Sequence, residues 1–153
     1  MGHNRRTPEE SFAFHTERRG DCLIWTGALS PKGYGAIWVD GRTMRAHRFA
    51  WERVNGPLPR GAVVDHYVCH TPSCVEVAHL RPATDAQNQA NRKGANRNSR
   101  SGIRGIRDCG THWKVRVSKG GVEYGGRHEL LEDALRERDA LWAKHFGDFA
   151  GII

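Results

Sequence analysis

The stretch that decides the reading is Val63-Val64-Asp65-His66-Tyr67-Val68-Cys69-His70-Thr71-Pro72-Ser73-Cys74-Val75-Glu76-Val77-Ala78-His79. It opens as a short apolar strand, Gly61 to Asp65, and then loses every regular hydrophobic period from His66 to Ala78. An irregular segment of that length needs something to hold it. Cys69, Cys74 and His79 supply a candidate, in a Cys-x4-Cys-x4-His spacing. Two thiolates and an imidazole so close together suit tetrahedral zinc. A fourth ligand is required. Cys22, from an early strand, is the first choice and His70 is the rival. A zinc closed by four protein ligands is structural, so it would rigidify the loop and leave the chemistry to other residues. Cys109 lies far from this cluster and is expected to be a small buried or half-buried thiol, not a ligand.

Two features flank the loop. Asp65-His66 closes the strand before it, and Asn88 lies early in a helix after it. That helix is expected to start at the capping-box pattern Thr84-Asp85-Ala86-Gln87 and to run to about Lys93. Asp65 offers a hard carboxylate oxygen and Asn88 a hard amide oxygen, which together suit Mg²⁺ or Mn²⁺. His66 has the side chain that can take a proton from water near neutral pH.

Further out, the chain divides by composition. Residues 1–20 are polar and charged and predict a poorly packed lead-in, with a short helix from Pro8 to His15. Strands are expected at Asp21 to Trp25, Gly33 to Val39 and Arg42 to Ala46, the last two joined by the hairpin signal Asp40-Gly41. His47 to Asn55 has helical spacing and ends at Gly56-Pro57. Residues 94–101 have the composition of a basic linker. Beyond it, Ile103 to Arg107, Trp113 to Ser118 and Val122 to Arg127 predict three strands, and Leu130 to Phe146 an amphipathic helix. Trp25, Trp38, Trp51 and Trp142 are expected in the cores of thin domains.

Lys and Arg number 24 against 17 Asp and Glu, a formal net charge of +7 that favours an anionic partner, most commonly nucleic acid. No apolar run reaches a membrane span, and the N-terminus lacks the apolar stretch of a signal peptide. The protein is therefore expected to be intracellular and cytoplasmic, without a membrane partner. In that setting cysteines favour metal over disulfides.

Residues 21–92, about half the chain, resemble HNH homing endonucleases of the phage type, within the ββα-metal nuclease group. The carrying motifs are Cys-x2-Trp-Thr-Gly (Cys22 to Gly27), Gly-Tyr-Gly (Gly33 to Gly35), Ala-His-Arg (Ala46 to Arg48), Val-Asp-His (Val64 to His66) and Cys-Val-x3-His-Leu (Cys74 to Leu80), completed by Asn88. The zinc spacing is also similar to that of His-Cys box homing endonucleases. The resemblance implies that His66 is the general base and that Asn88 and Asp65 bind a catalytic divalent ion. Such an ion would touch a non-bridging oxygen of the scissile phosphate, leaving a 5′ phosphate and a 3′ hydroxyl. His79 stands at the family's middle position, often Asn, and is assigned to zinc here. Glu76 and Val77 depart from the Asn-Pro commonly found before that His. Arg48 is a candidate contact to the phosphate, with a plain helix-surface arginine as the alternative.

Residues 101–150 resemble an AP2-type DNA-binding domain, through Ser101 to Arg107, Trp113 to Val117 and Phe146 to Ala150. That family lays a three-stranded sheet in the major groove. Arg104 and Arg116 are then expected on exposed strand faces, with Arg107 and Trp113 beside them and Arg97 and Arg100 along the phosphates. The expected class is α+β: a ββα-metal nuclease domain (21–93) with a structural zinc, followed by a small three-stranded sheet plus helix domain (102–153). Its expected partner is double-stranded DNA, as a monomer or a homodimer, cut on one strand or both. A non-enzymatic zinc-containing DNA-binding regulator is the competing reading, with RNA as a weaker alternative substrate.

Overall fold

The computed structural model describes residues 6–92 and 94–150. The chain forms two compact units, residues 1–84 and 85–153.

The first unit opens with α1 (Pro8–Phe14). A capping box starts it: the Glu10 amide donates to the Thr7 hydroxyl (3.2 Å), and the Thr7 amide donates to the Glu10 carboxylate (2.9 Å). The lead-in was expected to be poorly packed, and the structure corrects this. Phe12 is buried, with its ring centroid 6.0 Å from that of Trp25 and 5.5 Å from that of Phe49. β1 (Thr16–Arg19) then pairs antiparallel with β2 (Cys22–Trp25). β3 (Ala36–Val39) and β4 (Arg42–Arg45) form the Asp40-Gly41 hairpin, with both turn residues at positive φ. α2 (Ala46–Asn55) buries Ala46, His47, Phe49 and Ala50. β5 (Val63–His66) pairs antiparallel with β6 (Leu80–Ala83), which places Asp65 opposite Arg81 and His66 opposite Leu80.

Phe12, Trp25, Ile37, Ala46, Phe49, Ala50 and Val75 make the main core of this unit. A smaller cluster holds Leu58, Val64 and Leu80 against Trp51. Trp38 is not a core residue. It is 57% exposed, because strand alternation turns Ile37 inward and Trp38 out. Gly35 packs where no side chain fits. A Cβ there would lie 2.7 Å from the Trp25 ring and 2.8 Å from the Ala46 methyl. The Gly-Tyr-Gly motif is thus a close approach of backbone to indole.

The second unit begins with α3 (Asp85–Ala90). A meander follows: β7 (Ile106–Asp108), β8 (Trp113–Val115), β9 (Val117–Lys119), β10 (Val122–Tyr124) and β11 (Arg127–His128). β8 pairs with β7 and β11, and β9 with β10, all antiparallel. The pairs β9–β10 and β8–β11 share one register, so they are a single hairpin interrupted at Arg116 and Gly125. Gly125 has φ +122°, and a Cβ there would sit 2.6 Å from the Val115 carbonyl oxygen. α4 (Leu131–Phe146) covers the sheet, closing a core of Ile106, Val115, Val117, Ala134 and Trp142. Acidic Glu132 and Asp133 at its start and basic Lys144 and His145 at its end suit the helix dipole.

Two boundaries differ from expectation. β7 starts at Ile106 because Ser101 turns the chain, its hydroxyl accepting from the Ile103 amide (3.1 Å) and lying 2.6 Å from the Ile106 carbonyl oxygen. α3 stops at Ala90, and the two units divide ahead of the 94–101 segment. Among the described residues, no helix is long and apolar enough to cross a membrane.

Gly35→Ala should therefore destabilise the first unit by about 1–3 kcal/mol, the usual cost of overpacking. Thermal melting checks this; an unchanged melting temperature would show that the Trp25 ring yields freely.

Candidate functional site

Residues Ser73 to Val75 run beside β2. The Trp25 amide donates to the Ser73 carbonyl (2.8 Å), the Val75 amide donates to the Leu23 carbonyl (2.7 Å), and Cys74 stands opposite Ile24. This brings Cys74 to Cys22. A 3-10 turn, Val77–His79, returns His79 to the same point. The ligating atoms of Cys22, Cys69, Cys74 and His79 all lie within 4.8 Å of one another.

The donor set fits a tetrahedral ion. Zn–S of about 2.3 Å and Zn–N of about 2.0–2.1 Å at tetrahedral angles set sulfur and nitrogen about 3.6 Å apart. The Cys22 and Cys74 sulfurs are each 3.6 Å from His79 Nδ1. Burial raises the Cys22 thiol and pushes Cys74 up to about 12. Bare thiolates are thus disfavoured there, and a cation would compensate them. Cys22 fills the fourth position. His70, the rival, is not part of the cluster and takes positive φ (52°). Cys109 is exposed, not buried or half-buried, because it lies just past the end of β7.

His66 is buried at the end of β5, and its Nε2 lies 2.9 Å from the Cys74 carbonyl oxygen. Burial lowers its pKa, outweighing the opposing effects of that hydrogen bond and of Asp65. The ring is therefore neutral near pH 7. Only an N–H can pair with a carbonyl, so Nε2 carries the proton and Nδ1 is the basic nitrogen. His47 packs against it at 4.7 Å between centroids, and Tyr34 lies 5.4 Å from His47 and 6.0 Å from His66.

His47 was not singled out from sequence. Burial, with smaller contributions from His66 and Arg45, holds its pKa at about 3. Its Nδ1 is buried without a hydrogen-bond partner among the described residues. The signal was a polar residue on the apolar face formed by Ala46, Phe49 and Ala50.

Asp65 is buried, and Arg81 Nε donates to its carboxylate at 3.2 Å. Arg81 also lies over the Tyr67 ring. Asn88 sits half-buried on α3, in the second unit. Arg48, on α2, is paired with Glu52 at 2.9 Å.

In the second unit Arg100, Arg107 and Arg116 line an open cavity of about 560 Å³, together with Asn96 and Asn98. Arg97 is exposed nearby in sequence, Trp113 is half-buried on β8, and Arg116 is paired with Glu123 (2.7 Å). Arg104 does not stand on an exposed strand face. It precedes β7, and its guanidinium donates to the carbonyls of Gln89, Ala90 and Arg92. Its charged end lies over Trp142, 4.9 Å from the ring centroid, while Arg138 lies over the same ring at 5.1 Å. Carbonyls at a helix end need donors, and Arg104 supplies them from within the fold.

Residues 44–90 match the family model for HNH endonucleases. The chain is also similar to "Protein 7.7" of Escherichia phage T7, 43% identical over 68 residues, covering 44% of this chain and 52% of that protein. It thus spans about half the length of the curated relative it matches. No solved structure matches it.

Cys69→Ser or Cys74→Ser should lose about one zinc per chain and unfold at lower temperature, since structural zinc binding contributes folding energy. Elemental analysis of wild type showing no bound metal would overturn the cluster's role. Arg104→Ala should cost about 2 kcal/mol or more of stability without any DNA present, because several carbonyls lose a charged donor. Equal denaturation curves would return Arg104 to the surface.

Proposed function

We propose that the protein is a metal-dependent DNA endonuclease of the HNH homing type. The observation that carries the reading is the His66 ring, buried, neutral and fixed through Nε2 so that Nδ1 is left as the base. The family match over residues 44–90 supports a nuclease-type chemistry for the same segment. In this reading Nδ1 takes the proton of the attacking water. Cys22, Cys69, Cys74 and His79 hold a structural zinc that fixes the Cys74 carbonyl and hence the imidazole. Asp65 and Asn88 hold Mg²⁺ or Mn²⁺, which when bound neutralises charge on the phosphate and the leaving oxygen. The chain order β5, loop, β6, α3 supports the ββα-metal reading. Arg48, Arg97, Arg100, Arg107, Trp113 and Arg116 are proposed contacts to duplex DNA, and the second unit is proposed to act as an AP2-like reader.

One observation favours a second reading, a zinc-containing DNA-binding regulator without catalysis. Arg81 occupies the Asp65 carboxylate, which a divalent cation would have to share or displace.

Supercoiled plasmid with Mg²⁺ or Mn²⁺ separates the two. Wild type should nick or linearise it, and His66→Ala should be slower by about 10²–10⁴-fold, the usual worth of a general base. Asn88→Ala should keep zinc and fold while losing cleavage. Binding without cutting by wild type, across a library of duplex sites, would leave the regulator standing.

A further inference from the structure

The β3–β4 hairpin is anchored on one face only. Ile37, Val39 and Met44 pack into or against the core, while Trp38 and Thr43, opposite one another in register, face out with Arg45. Trp38 is 57% exposed and presents its indole to solvent on that outer face. Its surroundings are basic. Arg42, Arg45 and Arg48 border a shallow depression of about 240 Å³ along β4 and the start of α2. Glu52 neutralises Arg48, and Asp40 lies in the turn. Among the described residues, Arg42 and Arg45 are in no ion pair.

The patch is continuous with the candidate site. The Arg45 guanidinium carbon lies over the Tyr34 ring at 5.2 Å, and that ring packs on both His47 and His66. A polyanion lying along the outer face of the hairpin would therefore be led toward the His66 side of the unit.

We propose that the outer face of the β3–β4 hairpin and its β4 edge form a DNA-backbone seat, with Arg45 on the face and Arg42 at the turn end of the edge taking phosphates and Trp38 packing on a deoxyribose. This rests on the reading of DNA as the substrate and adds to it a binding surface in the first unit. The occupant is duplex DNA because the feature combines exposed arginines suited to phosphates with an aromatic able to pack on the deoxyribose between them, in a chain of net charge +7. A protein partner with an apolar surface would leave the two arginines uncompensated.

The test uses the 153-residue chain carrying His66→Ala, so that DNA survives the titration, and a linear duplex of arbitrary sequence as probe. Affinity is measured at several salt concentrations for this parent, for Arg42→Gln/Arg45→Gln, for Trp38→Ala and for Trp38→Tyr. The arginine pair should reduce the salt slope by about 2, at roughly 0.9 for each phosphate no longer neutralised. Trp38→Ala should weaken binding about tenfold, the worth of covering part of the indole against the backbone sugars, and Trp38→Tyr should restore most of it. Zinc content and melting temperature equal to the parent's confirm that these surface variants fold. If the parent binds DNA and the folded variants bind it with the same affinity and slope, the hairpin seat is wrong and the nuclease reading stands. If the parent binds no DNA even at low salt, both fall together.

Discussion

Three sulfurs and one imidazole nitrogen meet within a sphere that a single tetrahedral ion would fill, and the first unit is organised around that meeting. The segment from Tyr67 to Ala78 has little ladder of its own. It touches β2 through two backbone hydrogen bonds and one bridge. Those bonds place Cys74 beside Cys22 but do not by themselves secure Cys69 or His79. A shared cation would tie all four to one point, and β5 and β6 leave and return at its edge. The position of the His66 ring is therefore downstream of the cluster, set by a carbonyl of one of its members.

Much of this was legible in the sequence because its signals are local. Asp40-Gly41 specifies a tight turn whatever surrounds it, and the observed hairpin matches. Cysteine spacing marked Cys69, Cys74 and His79, and Cys22 completed the set because soft ligands are few. What could not be read depends on distant partners. β6 contains Pro82 and has no alternating pattern, so only its pairing with β5 makes it a strand. Phe12 looked like one apolar residue in a polar lead-in, and its burial needs Trp25 and Phe49 in place. His47 lies on the apolar face of its helix, but its packing on the His66 ring needs β5 in place.

Charge misled in the same way. An arginine in a basic chain invites a partner outside the molecule, yet Arg104 and Arg138 flank Trp142 and direct their donors to the fold itself. The guanidinium is suited to this because it is flat, multiply donating and weakly hydrated. Through Arg104 the end of α3 is tied to the segment that follows, so Asn88 belongs to the second unit. A boundary drawn from linker composition looks for where a chain is soft. Here the division follows where donors and acceptors are shared.

The link from the cysteine cluster to His66 passes through the main-chain carbonyl of Cys74. That atom belongs to every amino acid, so no codon change removes it. Natural variation can alter the thiol or the imidazole at either end, but it cannot silence the connector and spare both. The link between the cluster and the His66 ring thus cannot be cut by changing a side chain while both ends are kept, and severing it cleanly takes a chemical substitution of the backbone.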